Sequence, residues 1–95
     1  MINIKIKFIS ILADYTGVEE LTLKVDEKSS IKDVIEKLAI KFGETFKTKI
    51  LNSQNKLNKY IILILNDKDL RFFEGFDTFL QEDDEITFLP VIAGG

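Results

Sequence analysis

Ser30-Ile31-Lys32-Asp33-Val34-Ile35-Glu36-Lys37-Leu38-Ala39-Ile40-Lys41-Phe42-Gly43 is the stretch that decides the architecture. Its apolar residues Ile31, Val34, Ile35, Leu38, Ala39 and Phe42 recur at spacings of three and one, which trace one face of a helix. Ser30 followed by Asp33 resembles a capping box with Asp as the shorter acidic partner, and Gly43 supplies a residue able to turn left-handed at the far end. Lys32, Glu36, Lys37 and Lys41 fall on the wet side. The pattern predicts one amphipathic helix of about four turns. The stripe could serve a membrane or a partner instead, yet burying its large side chains offers on the order of 10 kcal/mol at roughly 1.5–3 kcal/mol each. Exposed patches of that size are rare on monomers, so the stripe is assigned to the core.

Upstream, Ile2, Ile4, Ile6 and Phe8 alternate with Asn3, Lys5 and Lys7, the period of a strand with one buried face. Asp14-Tyr15-Thr16-Gly17 carries turn residues, and Leu21, Leu23 and Val25 then alternate with Glu20, Thr22 and Lys24 to give a second strand and an opening hairpin. Downstream, the polar segment 44–59 has Phe46, Ile50 and Leu51 as anchors and room for a short second helix. Tyr60-Ile61-Ile62-Leu63-Ile64-Leu65 is a continuous apolar run, read as an interior strand with both faces at least partly covered. Leu70-Arg71-Phe72 is expected as a short strand, and Phe73, Phe76 and Phe79 as core plugs. Glu82-Asp83-Asp84-Glu85 reads as a solvated turn before a last strand from Ile86 to Leu89. The order strand, strand, helix, strand, short strand, strand is an α+β layout: a mixed sheet with one main helix packed on one face, the other face free.

Ninety-five residues make one domain, able to bury roughly 65% of its unfolded surface. The chain has no Cys and no His, which removes disulfides, thiolate nucleophiles and the usual zinc ligands and leaves Ser10, Ser29, Ser30 and Ser53 without an obvious base. A self-contained hydrolase and a bound metal are therefore not expected. A formal net charge of -3 offers no basic field for nucleic acid. Charges at every second position of the first residues argue against a signal peptide or a membrane span, and a cytoplasmic location is the default expectation.

The last residues, Phe88-Leu89-Pro90-Val91-Ile92-Ala93-Gly94-Gly95, differ from the rest. Pro90 has no N–H to donate, so strand pairing is expected to weaken at or just before it. Five residues beyond it span roughly 17 Å at about 3.3 Å each, enough to enter another protein's tunnel. Residues 1–90 are thus expected as the folded domain and 91–95 as a flexible tail. A terminal glycine pair alone is weak, because at about 7% usage it arises by chance in about one chain in two hundred. Its conjunction with a compact ββαββ order, a proline and an apolar pair is more specific.

With these residues in view, the chain resembles the MoaD/ThiS superfamily of ubiquitin-like sulfur carriers, and most closely the small subunit of molybdopterin synthase. Phe8 to Gly17, Ser30-Ile31-Lys32-Asp33-Val34-Ile35, Leu63-Ile64-Leu65-Asn66, Asp84-Glu85-Ile86 and the tail from Phe88 to Gly95 carry the likeness, which covers essentially the whole chain. The resemblance implies a β-grasp (ubiquitin-like) fold. It also implies that an adenylating, ubiquitin-activating-like enzyme uses Mg-ATP to convert the Gly95 carboxylate to an acyl adenylate. A sulfur donor protein then makes the thiocarboxylate, and the large subunit of molybdopterin synthase holds the acceptor in molybdenum (or tungsten) cofactor biosynthesis. The chain would bind no cofactor and would not be catalytic alone. A Cβ at Gly94 or Gly95 would keep the carboxylate from an enclosed phosphate.

Partner grip is expected from Leu89, Pro90, Val91, Ile92 and Ala93. If Ile86 and Phe88 point inward with Ile4 and Ile6, then Thr87 and Leu89 point outward, and Leu89 is either a grip residue or an ordinary rim hydrophobe. Two other functions compete: a protein modifier conjugated to lysines through Gly95, and a β-grasp interaction module without tail chemistry.

Overall fold

Alternation in the first residues produces a strand, β1 (Ile2–Phe8), with Ile4, Ile6 and Phe8 buried, in a computed structural model that describes residues 1–91 of the chain. The chain leaves β1 into a six-residue helix, α1 (Ile11–Thr16), where turn residues had suggested a plain loop. Leu12 is buried and anchors this short helix. Gly17 ends it in the left-handed conformation (φ 80°), its N–H donating to the Ala13 carbonyl at 2.8 Å. β2 (Glu20–Val25) then returns antiparallel to β1, with Ile4 opposite Leu23 and Ile6 opposite Leu21, so both strands turn their apolar sides the same way.

The main helix, α2, spans Ile31–Phe42 and is a little over three turns long, shorter than expected. The capping box is formed: the Asp33 N–H donates to Ser30 Oγ at 3.3 Å, and the Ser30 N–H donates to Asp33 Oδ2 at 2.9 Å. Ile31, Val34, Ile35 and Leu38 are buried, as the stripe requires. Gly43, at φ 91° and ψ −176°, redirects the chain at once into a second helix, α3 (Glu44–Ile50), which buries Phe46 and Ile50. That backbone region is open essentially to glycine alone.

β3 (Ile61–Leu65), the two-residue β4 (Lys68–Asp69) and β5 (Glu85–Pro90) complete a five-stranded sheet of order β2-β1-β5-β3-β4. β5 lies in the middle, parallel to β1 and antiparallel to β3. The helices pack on its inward residues, where Phe8 meets Phe42, Phe46 and Phe88 at ring separations of 5.8, 6.0 and 5.3 Å, the usual range for aromatic pairs. The result is the mixed α+β layout that the alternating strands and one amphipathic helix predict.

Three local expectations need correction. Leu70–Phe72 is a 3₁₀ turn and not a strand, because the Asp69 side chain accepts the Arg71 N–H at 2.8 Å and curls the chain. Phe73 and Phe79 are exposed, and only Phe76 packs against the core. The loop is held by backbone bonds from Ile31 N–H to the Thr78 carbonyl (3.0 Å) and from Leu80 N–H to the Ser29 carbonyl (2.8 Å). This extended pairing turns Thr78 and Leu80 inward and Phe79 out. Finally, the acidic turn is more than solvated charge. Glu82 accepts from the Asn3 backbone and side-chain amides, and Asp84 accepts from Asn66 Nδ2 at 3.1 Å and from the Gln81 N–H at 2.8 Å.

Candidate functional site

β5 is the strand that leads to the C-terminal residues, and its alternation sets what each face can do. Ile86 and Phe88 are buried, while Thr87 and Leu89 sit half-buried on the opposite face. Leu89 therefore points outward as the alternation predicts, directly across from Ile62 of β3, and Thr87 lies across from Ile64. Ile62 and Ile64 are likewise half-buried. The sequence reading missed this pair as surface residues, because a continuous apolar run does not say which of its alternate positions another layer covers. Their parity against the buried Leu63 was the available signal.

Pairing does not weaken before Pro90. The strand includes Pro90, opposite Ile61, and the Val91 N–H still donates to the Tyr60 carbonyl at 2.8 Å. The reason is register. Val91 and Leu89 bond toward β3, so the nitrogen of Pro90 faces the β1 side, and there the chain turns away at Ser10 with φ 58°. A missing donor costs nothing where no acceptor strand continues. Among the expected grip residues, Leu89 and Pro90 are half-buried and Val91 is 40% exposed. Ile92, Ala93, Gly94 and Gly95 lie outside the described residues.

The outward face is divided by charge. Over β2, β1 and the start of β5 it carries two ion pairs, Lys7 Nζ to Glu85 Oε1 at 2.8 Å and Lys5 Nζ to Glu20 Oε1 at 3.3 Å. The hydrogen bond from Lys7 to Glu85 raises the lysine above its usual 10.5. Over β5 and β3 the face is apolar except for Thr87, with Leu89, Ile62 and Ile64 leading to Val91. An apolar strip beside a charged margin is the composition of an interface core beside its polar rim. Among the described residues the buried polar side chains are Ser29 and Thr78. Among the described residues no cluster of three or more acidic groups could hold a metal ion, and no helix is long and apolar enough to cross a membrane.

The model of the ThiS family matches residues 6–95, nearly the whole chain and both terminal glycines. The chain belongs to the ThiS family. Among the relatives of this ThiS-family chain is a putative sulfur carrier protein of Archaeoglobus fulgidus, 31% identical over 74 residues that make up 77% of this chain and 83% of the relative. The solution structure of small archaeal modifier protein 1 from Methanosarcina acetivorans superposes with a TM-score of 0.84 at 29% identity, covering 100% of this chain and 98% of that one. A chain of the BexX/CysO complex of Amycolatopsis orientalis superposes with a TM-score of 0.76 at 25% identity, covering 97% and 99%. This ThiS-family protein therefore has the ubiquitin-like β-grasp fold and sits among sulfur carriers and ubiquitin-like proteins.

Proposed function

We propose that the chain carries sulfur on the carboxylate of Gly95. The Gly95 carboxylate attacks the α-phosphorus of Mg-ATP in an adenylating enzyme and displaces pyrophosphate. Hydrosulfide supplied by a sulfur donor protein then adds to the acyl carbon and expels AMP, leaving a thiocarboxylate. The acceptor we propose is the molybdopterin precursor held by the large subunit of molybdopterin synthase, following the resemblance of the tail and last strand to that small subunit. The observation that carries the reading is that the family match runs through Gly94 and Gly95, beyond a central strand whose outward face is apolar up to Val91.

This chemistry requires Gly95 to be the last residue of the mature protein, which intact mass checks directly. Incubation with a candidate adenylating enzyme, Mg-ATP and sulfide should add the mass difference of one sulfur for one oxygen. Gly95→Ala should fold normally and lose adenylate-dependent pyrophosphate exchange by about a hundredfold, since a misplacement of about 1 Å costs that much. Unchanged exchange in that variant would defeat the proposal.

The full-length likeness to small archaeal modifier protein 1 favours a second reading, in which the same activated glycine passes to lysine amines. Gly-Gly remnants on lysines of other proteins, found by mass spectrometry after tagging the chain, would support conjugation. A thiocarboxylate without such remnants would support sulfur transfer alone.

A further inference from the structure

β5 runs from an acidic turn to a basic segment, so the two ends of the sheet carry opposite charge. Residues 47–59 hold Lys47, Lys49, Lys56 and Lys59 and no acidic residue. The fold sets this segment where β5 ends. The Val91 N–H bonds to the Tyr60 carbonyl and the Asn58 N–H to the Ile50 carbonyl, both at 2.8 Å, and Val91, Lys56 and Lys59 line one groove. Helix α1 lies at the same end, since the Ile9 N–H just before it bonds to the Phe88 carbonyl at 3.0 Å. The Lys49 ammonium sits 5.2 Å from the centre of the Tyr15 ring on α1, and the Lys59 ammonium 5.2 Å from the Tyr60 ring. Such contacts hold a cation at the surface without neutralising it.

The ion pairs among the described residues engage Lys5, Lys7 and Arg71, and none of these four lysines. With Lys41 in the last turn of α2, five lysines stand against two carboxylates, Asp14 and Glu44, on the helices of this end. Glu19 and Glu20 lie at the start of β2, two strands from β5 and so about 10 Å away, and Glu20 is paired with Lys5. At the opposite end the balance reverses. Asp26, Glu27 and Asp33 between β2 and α2, Asp67 after β3 and Glu82 to Asp84 before β5 outnumber Lys24, Lys28, Lys32 and Lys68 by seven to four. A surplus of three positive charges is thus separated from a surplus of three negative ones by the six residues of β5, roughly 20 Å. The net charge of -3 conceals this polarity.

We propose that residues 47–59 form a cationic collar that docks on an acidic rim around the cleft of the adenylating enzyme that takes the C-terminal residues. The proposal rests on the carrier reading above and adds which surface meets the enzyme first. Attraction of the collar and repulsion of the acidic end turn the chain with its C-terminal side forward before any apolar contact forms. Ile62 and Val91 belong both to the groove beside Lys56 and Lys59 and to the apolar strip. Collar and strip are therefore one continuous surface, charged at the approach and apolar at the seat. A basic partner surface would attract the wrong end of the molecule.

The test is the association rate of the full chain with an immobilised candidate adenylating enzyme, by surface plasmon resonance, from about 0.01 M to about 1 M salt, where the screening length falls from about 30 to about 3 Å. The wild-type rate should fall by about tenfold or more across that range. At about 0.1 M salt, with a screening length of about 10 Å, Lys49→Glu/Lys56→Glu/Lys59→Glu should associate about tenfold more slowly, and its rate should rise with salt. Its NMR spectrum away from the three sites should be unchanged. The neutral variant Lys49→Gln/Lys56→Gln/Lys59→Gln should fall between that variant and wild type. Lys24→Glu/Lys28→Glu/Lys32→Glu makes the same change in net charge at the other end and should lose less than about threefold, being beyond the screening length from the collar. Equal losses from the two charge-reversed variants would assign the effect to net charge and overturn the proposal, as would a wild-type rate indifferent to salt. ATP–pyrophosphate exchange by the same enzyme with the wild-type chain separates the two readings. Exchange together with association indifferent to the collar overturns the collar alone, whereas no exchange at any salt concentration overturns the carrier reading and the collar with it. Collar-dependent binding to phosphatidylserine vesicles or to RNA, with association to the enzyme unaffected, would name a polyanion as the occupant and overturn it too.

Discussion

Phe88 and Leu89 are neighbours on the central strand with opposite surroundings, and substituting each should produce opposite phenotypes. Phe88 is fully buried, with its ring 5.3 Å from Phe8 and 6.2 Å from Phe46. Phe88→Ala removes that ring from the middle of the core and should cost about 3–5 kcal/mol. A 95-residue domain holds only about 5–14 kcal/mol in total at roughly 0.05–0.15 kcal/mol per residue, so this single change consumes about a fifth of it or more. Leu89 is half-buried and its outward neighbour is Ile62. Leu89→Arg keeps an aliphatic stem over that neighbour and a head in water, and loses a cross-strand pair worth about 0.2–1 kcal/mol. With partial loss of burial, about 1 kcal/mol is expected, or roughly 4–8 °C in Tm.

Activation should show the reverse. A charge forced into the centre of an apolar docking strip should cost at least about 2 kcal/mol of binding, near thirtyfold at about 1.4 kcal/mol per decade. Phe88→Ala, assayed where it remains folded, should bind with near-normal affinity. Urea unfolding read at equal m-values measures the stability arm. ATP–pyrophosphate exchange against carrier concentration, with a candidate adenylating enzyme, measures the other. The reasoning is refuted if Leu89→Arg loses about 3 kcal/mol or more of stability, because Leu89 would then be core. Unchanged half-saturation in the exchange assay would show that the strip does not dock.

Other perturbations probe the scaffold. Ser30→Ala removes the side-chain acceptor of the capping box and should lower unfolding free energy by about 1 kcal/mol in chemical denaturation. Gly43→Ala meets open space but must hold φ near 91°, and the strain should cost about 1–3 kcal/mol, visible as a lower urea midpoint. The hydrogen bonds from Arg71 hold the Asp69 carboxyl below its usual 3.8. Its folded value is the lower one, so its contribution to stability is present above pH 3.8 and is lost as pH falls through the folded value. Arg71→Gln should move the Asp69 midpoint upward in a carboxyl-carbon NMR titration, and an unmoved midpoint would show that the pair does not form in solution.

Wherever one residue's neighbours in sequence fix its environment, the chain was legible. Period-two alternation in Ile2–Phe8 and Glu20–Val25 needs only the pleat, and the Ser30–Asp33 box needs only one turn of helix. The terminal glycines were likewise visible as a motif without any coordinates. Helix α1 was not, because six residues without a side-chain cap have little helical preference of their own. It is held by Leu12 packing into the core. Phe73 and Phe79 were misplaced for a related reason: in an irregular loop, hydrophobicity does not decide which residue turns inward. Backbone pairing with Ser29 and Ile31 does, and it chose Thr78 and Leu80.

The sequence alone determined the α+β class, the main helix, the outward parity of Leu89 and the glycine tail, since each comes from a period or a local motif. Only the tertiary structure decided that Ile62 and Ile64 join Leu89 on the uncovered face and that Pro90 sits where its missing donor is harmless. A repeating pattern fixes how side chains alternate along a strand. Which side is covered, and which edge is paired, depends on where distant segments of the chain come to rest.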